Sequence, residues 1–300
     1  MRFDEISINS RVEMAVLFAS YEARCVEVAR ALAKSGYHGE VRVYFCQDLL
    51  CDATRRNLAT IESAFGRSVM AVPVSYVDPL PMVRSTTETQ WSRSVLIDVT
   101  CFNRGNLFPF LWASGLGIRS YPEVTFAYTA PREYGTWLSR EYEPPTNLLG
   151  FPGSSVFAED RVLICLVGFE TDRALSVIRA VEPSRVILTV GTIPTRAEFV
   201  ARNRHAVEQV HGSAQYEIRE IDVSHPGRSL TGLMEITDKI PSESAVHCAP
   251  FSTKLSCLGL WGLWLARHQM VRVWNAQPRM YNLRDYSKGG TSPRYFRLEW

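Results

Sequence analysis

The chain has 300 residues, 46% of them hydrophobic, and a formal net charge of +2. This is enough apolar material for two cores in units of about 150 residues each, and it excludes a disordered or low-complexity chain. The mild charge excludes the dense basic stripe of a general nucleic-acid binder, while a local basic pocket for phosphates remains compatible with it.

Met1 to Arg11 is polar and the apolar run after it is short, so no secretory signal is expected. Glu13 to Ala19 predicts a buried strand. Glu22 to Ser35 follows with Cys25, Val28, Ala29 and Leu32 on one helical face. Val41–Cys46 reads as a strand, Ala53–Phe65 as a helix and Val69–Val74 as a strand. Pro79 and Pro81 are expected to break the chain, with a helix over Thr86–Arg93. Ser94–Thr100 is a buried strand, Asn106–Ser114 a helix and Val124–Tyr128 a strand. The segment from Glu143 to Ser155 carries three prolines and two glycines, which places a boundary there, between units 1–150 and 151–300.

The second half repeats the order. Strands are predicted at Val162–Val167, Val186–Val190, Tyr216–Ile221, Ser244–Ala249 and Val271–Trp274. Helices are predicted at Thr171–Val181, Arg196–Val210, Ser229–Lys239 and Lys254–His268. A last strand, Arg294–Leu298, follows a turn at Tyr286–Thr291. Short strands alternating with helices make an α/β fold, with a Rossmann-like parallel sheet in each half. The apolar run Leu255–Leu265 is far below the roughly 20 residues that span a bilayer and reads as a buried helix. The seven cysteines are scattered and form no CxxC pair, so a reducing, cytoplasmic setting is expected.

The halves also repeat chemistry, at shifts of 147 to 150 residues. Ser20-Tyr21-Glu22-Ala23-Arg24 is echoed by Gly168-Phe169-Glu170-Thr171-Asp172-Arg173. Asp98-Val99-Thr100-Cys101-Phe102-Asn103-Arg104 is echoed by His247-Cys248-Ala249-Pro250-Phe251-Ser252-Thr253-Lys254. Pro131-Arg132-Glu133-Tyr134 and Ser139-Arg140 are echoed by Pro278-Arg279-Met280-Tyr281 and Ser287-Lys288. Such an internal duplication suggests two half-sites for one ligand, or one working site beside a decayed one.

These residues fall at the carboxyl ends of strands, where open parallel sheets bind ligands. Arg104 and Lys254 open helices, whose N-termini favour anions. Asp98 and Thr100 could instead cap the helix. Glu22 and Glu170 could hold a ribose hydroxyl or a base amine, with Arg24 and Arg173 on phosphate, or each pair could be an internal ion pair. Tyr21 and Phe169 could stack on a base or pack the loop. Arg132 and Arg279 could reach phosphate, and Tyr134 and Tyr281 could stack or hydrogen-bond, although turn chemistry at Pro131 and Pro278 accounts for the pattern equally well. His247 is the one histidine placed for catalysis, and a satisfied buried histidine is the competing reading.

Asp98-x-Thr100-x-x-x-Arg104 at the end of a Rossmann strand resembles the motif of the CARF domains, the CRISPR-associated Rossmann folds. The tandem layout resembles the SAVED domains of anti-phage signalling. The resemblance implies a cyclic oligonucleotide ligand. The second half departs from the motif, with His247 and Ala249 at the Asp and Thr positions.

No Walker A, HExxH, G-x-S-x-G or G-x-G-x-x-G sequence is present, which argues against P-loop hydrolysis and a dinucleotide cofactor. The expectation is a cytoplasmic, cofactor-free nucleotide sensor. It would relay its signal to an effector protein, with homo-oligomers left open. A nucleotide-cleaving phosphodiesterase or glycosidase, and a ligand-free scaffold in a defence complex, are the alternatives.

Overall fold

The structure, a computed structural model, describes residues 1–8, 12–116, 123–153, 160–212, 216–267 and 270–299. Ser154, Ser155 and His268 of the expected boundary and helix lie outside them.

The first part of the chain contains β1 (Arg2–Ile6), β2 (Met14–Ala19), a 3-10 turn (Ala23–Val26) running into α1 (Glu27–Lys34), β3 (Glu40–Cys46) and α2 (Asp52–Phe65). Next come β4 (Met70–Val74), α3 (Leu80–Thr87), β5 (Ser94–Asp98), α4 (Arg104–Ala113), β6 (Glu123–Tyr128) and β7 (Pro131–Tyr134). Two further strands, β8 (Ser139–Tyr142) and β9 (Thr146–Pro152), precede the second Rossmann-like run. That run comprises β10 (Arg161–Leu166), α5 (Thr171–Val181), β11 (Arg185–Thr192), α6 (Ala197–His211) and β12 (Glu217–Asp222). It continues with α7 (Pro226–Thr237), β13 (Ala245–Pro250), α8 (Lys254–Ala266) and β14 (Arg272–Asn275). The chain closes with β15 (Pro278–Tyr281), β16 (Ser287–Gly290) and β17 (Arg294–Glu299).

These elements form two compact units, one of residues Met1–Leu138 with Tyr281–Trp300 and one of Ser139–Met280. The first unit has a seven-stranded sheet in the order β1-β17-β6-β5-β2-β3-β4. The five strands from β6 to β4 are parallel, and on their β6 side β17 runs antiparallel to both β6 and β1. The second unit has a six-stranded sheet in the order β12-β11-β10-β13-β14-β9, parallel except for β9. Both units are Rossmann-like.

The matching orders show that β9 holds in the second sheet the place that β17 holds in the first. The short ribbons follow the same rule: β7 pairs with β16, and β8 pairs with β15. The tail of each half of the sequence therefore completes the sheet begun by the other half. Sequence halves and compact units are different divisions of the chain, because backbone pairing is indifferent to sequence distance.

Four local expectations are corrected. Pro79 and Pro81 do not break the chain but begin α3, which ends at Thr87, before the expected segment is half complete. Proline suits the first turn of a helix, where its missing N–H is not needed. The same effect starts α7 at Pro226 rather than Ser229. Strand β1 lies within the polar leader; of its five residues only Phe3 is buried, as suits the margin of a sheet. The expected turn Tyr286–Thr291 contains strand β16, whose pairing partner lies far away in sequence.

The cores follow from the patterning. In the first unit Phe18, Tyr44, Phe102 and Phe110 pack tilted or edge-on at 4.5–6.4 Å between ring centroids, all 3% exposed or less. In the second, α8 is buried from Leu255 to Trp264 on every side, as the continuous apolar run predicts. Its Gly259 lets it approach α7 closely, since a Cβ there would lie 2.6 Å from the Ser229 Cβ and 2.9 Å from the Leu230 nitrogen.

Candidate ligand site at the carboxyl ends of the strands

The buried β2 strand delivers Ser20, Tyr21 and Glu22 to the carboxyl edge of the first sheet. The Ser20 and Glu22 carbonyls accept hydrogen bonds from Asn57 Nδ2 at 2.8 and 3.3 Å. Glu22 and Arg24 are buried and paired, with Arg24 Nε donating to Glu22 Oε2 at 2.9 Å. Arg24 Nη1 donates to the Thr129 carbonyl at 2.7 Å, and Ser287 Oγ of β16 donates to Glu22 Oε2 at 2.5 Å.

The second unit repeats this network. Glu170 accepts hydrogen bonds from Ser139 Oγ of β8 and, at 3.4 Å, from Arg173 Nη1. Arg173 Nε donates to the Ala276 carbonyl at 2.8 Å and Nη2 donates to Asn275 Oδ1 at 2.8 Å. Its guanidinium also lies over Phe251, 4.6 Å from the ring centroid. In each unit a Glu–Arg pair, buried in the first and partly buried in the second, thus fastens the strand end to the serine of the exchanged ribbon. The internal ion pair is the arrangement present.

Asp98 is 1% exposed. Its Oδ1 accepts from the Thr100 N–H at 2.9 Å, whereas Oδ2 is buried with no hydrogen-bond partner. Burial pushes its carboxyl up to about 7, against the opposing effects of Thr100 and Arg24. Thr100 Oγ1 accepts from the Thr129 N–H at 2.9 Å, tying the ends of β5 and β6 together. Neither residue caps α4. Asn103 does, its Oδ1 accepting from the Asn106 N–H at 2.9 Å. In the second unit Thr253 caps α8 through Ser256 and also donates to the Val223 carbonyl at 2.9 Å. Ser252 is buried against Gly191.

Arg104 and Lys254 are the first residues of α4 and α8. Arg104 is largely covered and Lys254 is half-buried. Both sit where a helix N-terminus presents backbone N–H groups and a positive end. The equivalent placement in two units is what the sequence spacing anticipated.

The other residues singled out are dispersed. Arg132 is exposed on β7, with Nε donating to the Gly290 carbonyl at 3.2 Å. Arg279 is exposed on β15 and makes a two-pronged ion pair with Glu143, at 2.7 and 2.9 Å. Phe169 packs 5.0 Å from Phe199, and the Arg202 guanidinium lies 4.3 Å from its centroid. His247 is not placed for catalysis: it is buried within β13, and its Nδ1 accepts from the Trp274 indole N–H at 2.9 Å. Burial, then Arg272 and Arg161, push it down to about 4, so it is neutral near pH 7.

Tyr21 belongs to a group the sequence did not reveal. Its ring lies 6.1 Å from Tyr281 and 5.9 Å from Tyr286, and Tyr281 lies 6.0 Å from Tyr76. Tyr21 and Tyr281 were singled out in the sequence, but from different motifs. Tyr76 and Tyr286 belong to no repeat, and no local signal marks them.

Neither a described protein family nor a curated protein matches the sequence. Among solved structures, the fold is similar to that of a type III CRISPR defence DNA nuclease activated by cyclic oligoadenylate. The TM-score is 0.52 at 12% identity, over 83% of this chain and 63% of the nuclease, so the chain spans less than two thirds of that neighbour. The cytoplasmic domain of a prokaryotic cation chloride cotransporter aligns over 91% of this chain and 98% of its own, at 9% identity and a TM-score of 0.26. An isoflavone reductase aligns over 83% and 86%, at 11% identity and a TM-score of 0.28. Likenesses at those two scores carry no argument. Among the described residues no helix is long and apolar enough to cross a membrane.

Proposed function

We propose that the protein is a CARF-like sensor that binds a nucleotide or cyclic oligonucleotide and relays the signal to an effector protein in antiviral defence. The observation that carries this reading is the fold likeness, over most of the chain, to a nuclease activated by cyclic oligoadenylate. Arg104 and Lys254, opening equivalent helices at the carboxyl ends of the two sheets, support it. On this reading they meet phosphates, with the helix N-termini adding backbone donors. The two Glu–Arg pairs hold the strand ends in place.

Thermal-shift measurements against mono-, di- and cyclic oligonucleotides test the proposal, with chromatography of each ligand after incubation. A sensor is stabilised and returns its ligand intact. Arg104→Ala and Lys254→Ala are each expected to weaken binding by about 1.5–3 kcal/mol, the range for hydrogen bonds to charged groups. Unchanged affinity in both variants, with the fold intact, would remove the phosphate assignment.

A further inference from the structure

We propose that Tyr21, Tyr76, Tyr281 and Tyr286 form a stacking platform for one heteroaromatic base, carried by the first unit alone. The inference rests on the nucleotide-sensor proposal and gives that ligand a recognition surface and an asymmetry.

The platform lies at the carboxyl edge of the first sheet. Tyr21 follows β2, Tyr76 follows β4, and Tyr281 and Tyr286 flank the loop between β15 and β16. Tyr281 and Tyr286 are themselves 6.2 Å apart, so three of the four rings touch mutually and Tyr76 extends the set. The rings meet tilted or edge-on, the preferred geometry for aromatic pairs. What separates them from a core cluster is exposure. The aromatic group around Phe102 in the same unit is sealed, whereas all four tyrosines remain partly open to solvent.

The support is rigid. Asp48, after β3, accepts hydrogen bonds from Ser75 Oγ and, at 2.9 Å, from the Tyr76 N–H, which fixes the loop that carries Tyr76. The Tyr286 carbonyl accepts from the Gly135 N–H at 3.1 Å, and a Cβ at Gly135 would overlap the Asp285 carbonyl. Burial first, then Tyr286 and Glu22, raise the Tyr21 phenol well above its ordinary value, so that ring stays neutral. A partly exposed, neutral, pre-positioned aromatic surface suits the face of a base, and every base has such a face.

At the positions that match Tyr21 and Tyr76 the second unit differs. The repeat places Phe169 opposite Tyr21, and Phe169 is packed by Phe199 and Arg202. Ser224 follows β12 as Tyr76 follows β4, and the Ser224 hydroxyl donates to Asp222 at 2.6 Å. The duplication therefore keeps a cationic helix start in both units and a stacking surface in one.

The test is calorimetric titration of the full chain with cyclic oligoadenylate and with AMP, on the parent protein and on Tyr76→Leu, Tyr281→Leu, Tyr76→Phe and Tyr281→Phe. Circular dichroism melting of each variant accompanies it. The leucine variants are expected to lose about tenfold or more in affinity, and the phenylalanine variants to stay within about twofold of the parent. Leucine variants that bind like the parent overturn the platform and leave the sensor proposal standing. Phenylalanine variants as weak as leucine ones overturn it too, since the hydroxyls and not the rings would then be recognised. A parent protein that binds neither adenylate, nor any nucleotide of the thermal-shift set, overturns the sensor proposal, and the platform with it.

Discussion

Asp98 carries a charge problem that the fold does not solve. A carboxylate buried with one oxygen unpartnered favours its neutral form, so its proton is held up to about 7. Between the ordinary value of 3.8 and this one, the folded chain binds a proton that the unfolded chain has released. Stability therefore falls as pH rises through that window, by up to about 1.4 kcal/mol per pH unit from this group. Asp98→Asn, which keeps an oxygen for the Thr100 N–H, is expected to remove this slope and to raise the first unit's melting temperature at pH 8. Melts of parent and variant at pH 5 and pH 8 measure it; an unchanged difference between the two pH values counts against the buried, neutral Asp98. In the second unit His247 has the opposite sign. Its pKa lies below that of the unfolded chain, so its neutral burial is destabilising as pH falls from about 6.5 towards 4. Asp and His at one motif position thus give the two units opposite responses to acid.

At the scale of elements, α7 and α8 show how a small residue sets a packing distance. Alanine in a helix is favoured over glycine by about 1 kcal/mol. At Gly259 a Cβ would meet the Ser229 Cβ at 2.6 Å and backbone atoms of Leu230 and Pro226 at 2.9 and 3.0 Å. Backbone cannot rotate away, and overpacking typically costs about 1–3 kcal/mol, so the steric cost wins. Gly259→Ala is expected to lower the melting temperature; a rise would mean that α7 yields more easily than its backbone contacts imply. The same unit shows what a sequence pattern reads well. The run Leu255 to Leu265 predicts a helix buried all round, and α8 is one. It reads α3 poorly, because proline breaks a helix interior and begins a helix end with the same residue.

At the scale of the whole molecule, the exchanged tails determine what can be removed. Strand β17 lies between β6 and β1, and Ser287 of β16 reaches Glu22. Ending the chain after Met280 would uncover the β6 edge and leave β1 without a neighbour, while the second unit, Ser139–Met280, keeps every strand of its six-stranded sheet. Hydrogen exchange on the truncated chain is expected to show lost protection in β2, β3, β5 and β6 and retained protection in β10, β11 and β13. Retained protection in both sets would mean that the first sheet does not depend on its antiparallel margin. The similarity to a cyclic-oligoadenylate-activated nuclease belongs to this scale as well, since at 12% identity it is a likeness of fold.

The sequence by itself determined the alternation of strands and helices, the two Rossmann-like runs and the repeat of Glu–Arg and strand-end motifs. Each of these is written in local periodicity or in spacing along one chain. It also placed Arg104 and Lys254 at helix starts, because strand, loop and helix follow one another in sequence. Tertiary structure alone decided that β9 and β17 change places, that Asn103 rather than Asp98 or Thr100 caps α4, and that Glu22 and Glu170 receive their serines from distant ribbons. It alone gathered four tyrosines from three separate stretches of the chain into one surface. The physical reason is common to all of these. Hydrogen-bond partners and side-chain contacts are selected by distance in space, and a chain folded back on itself brings residues 265 positions apart within one hydrogen bond.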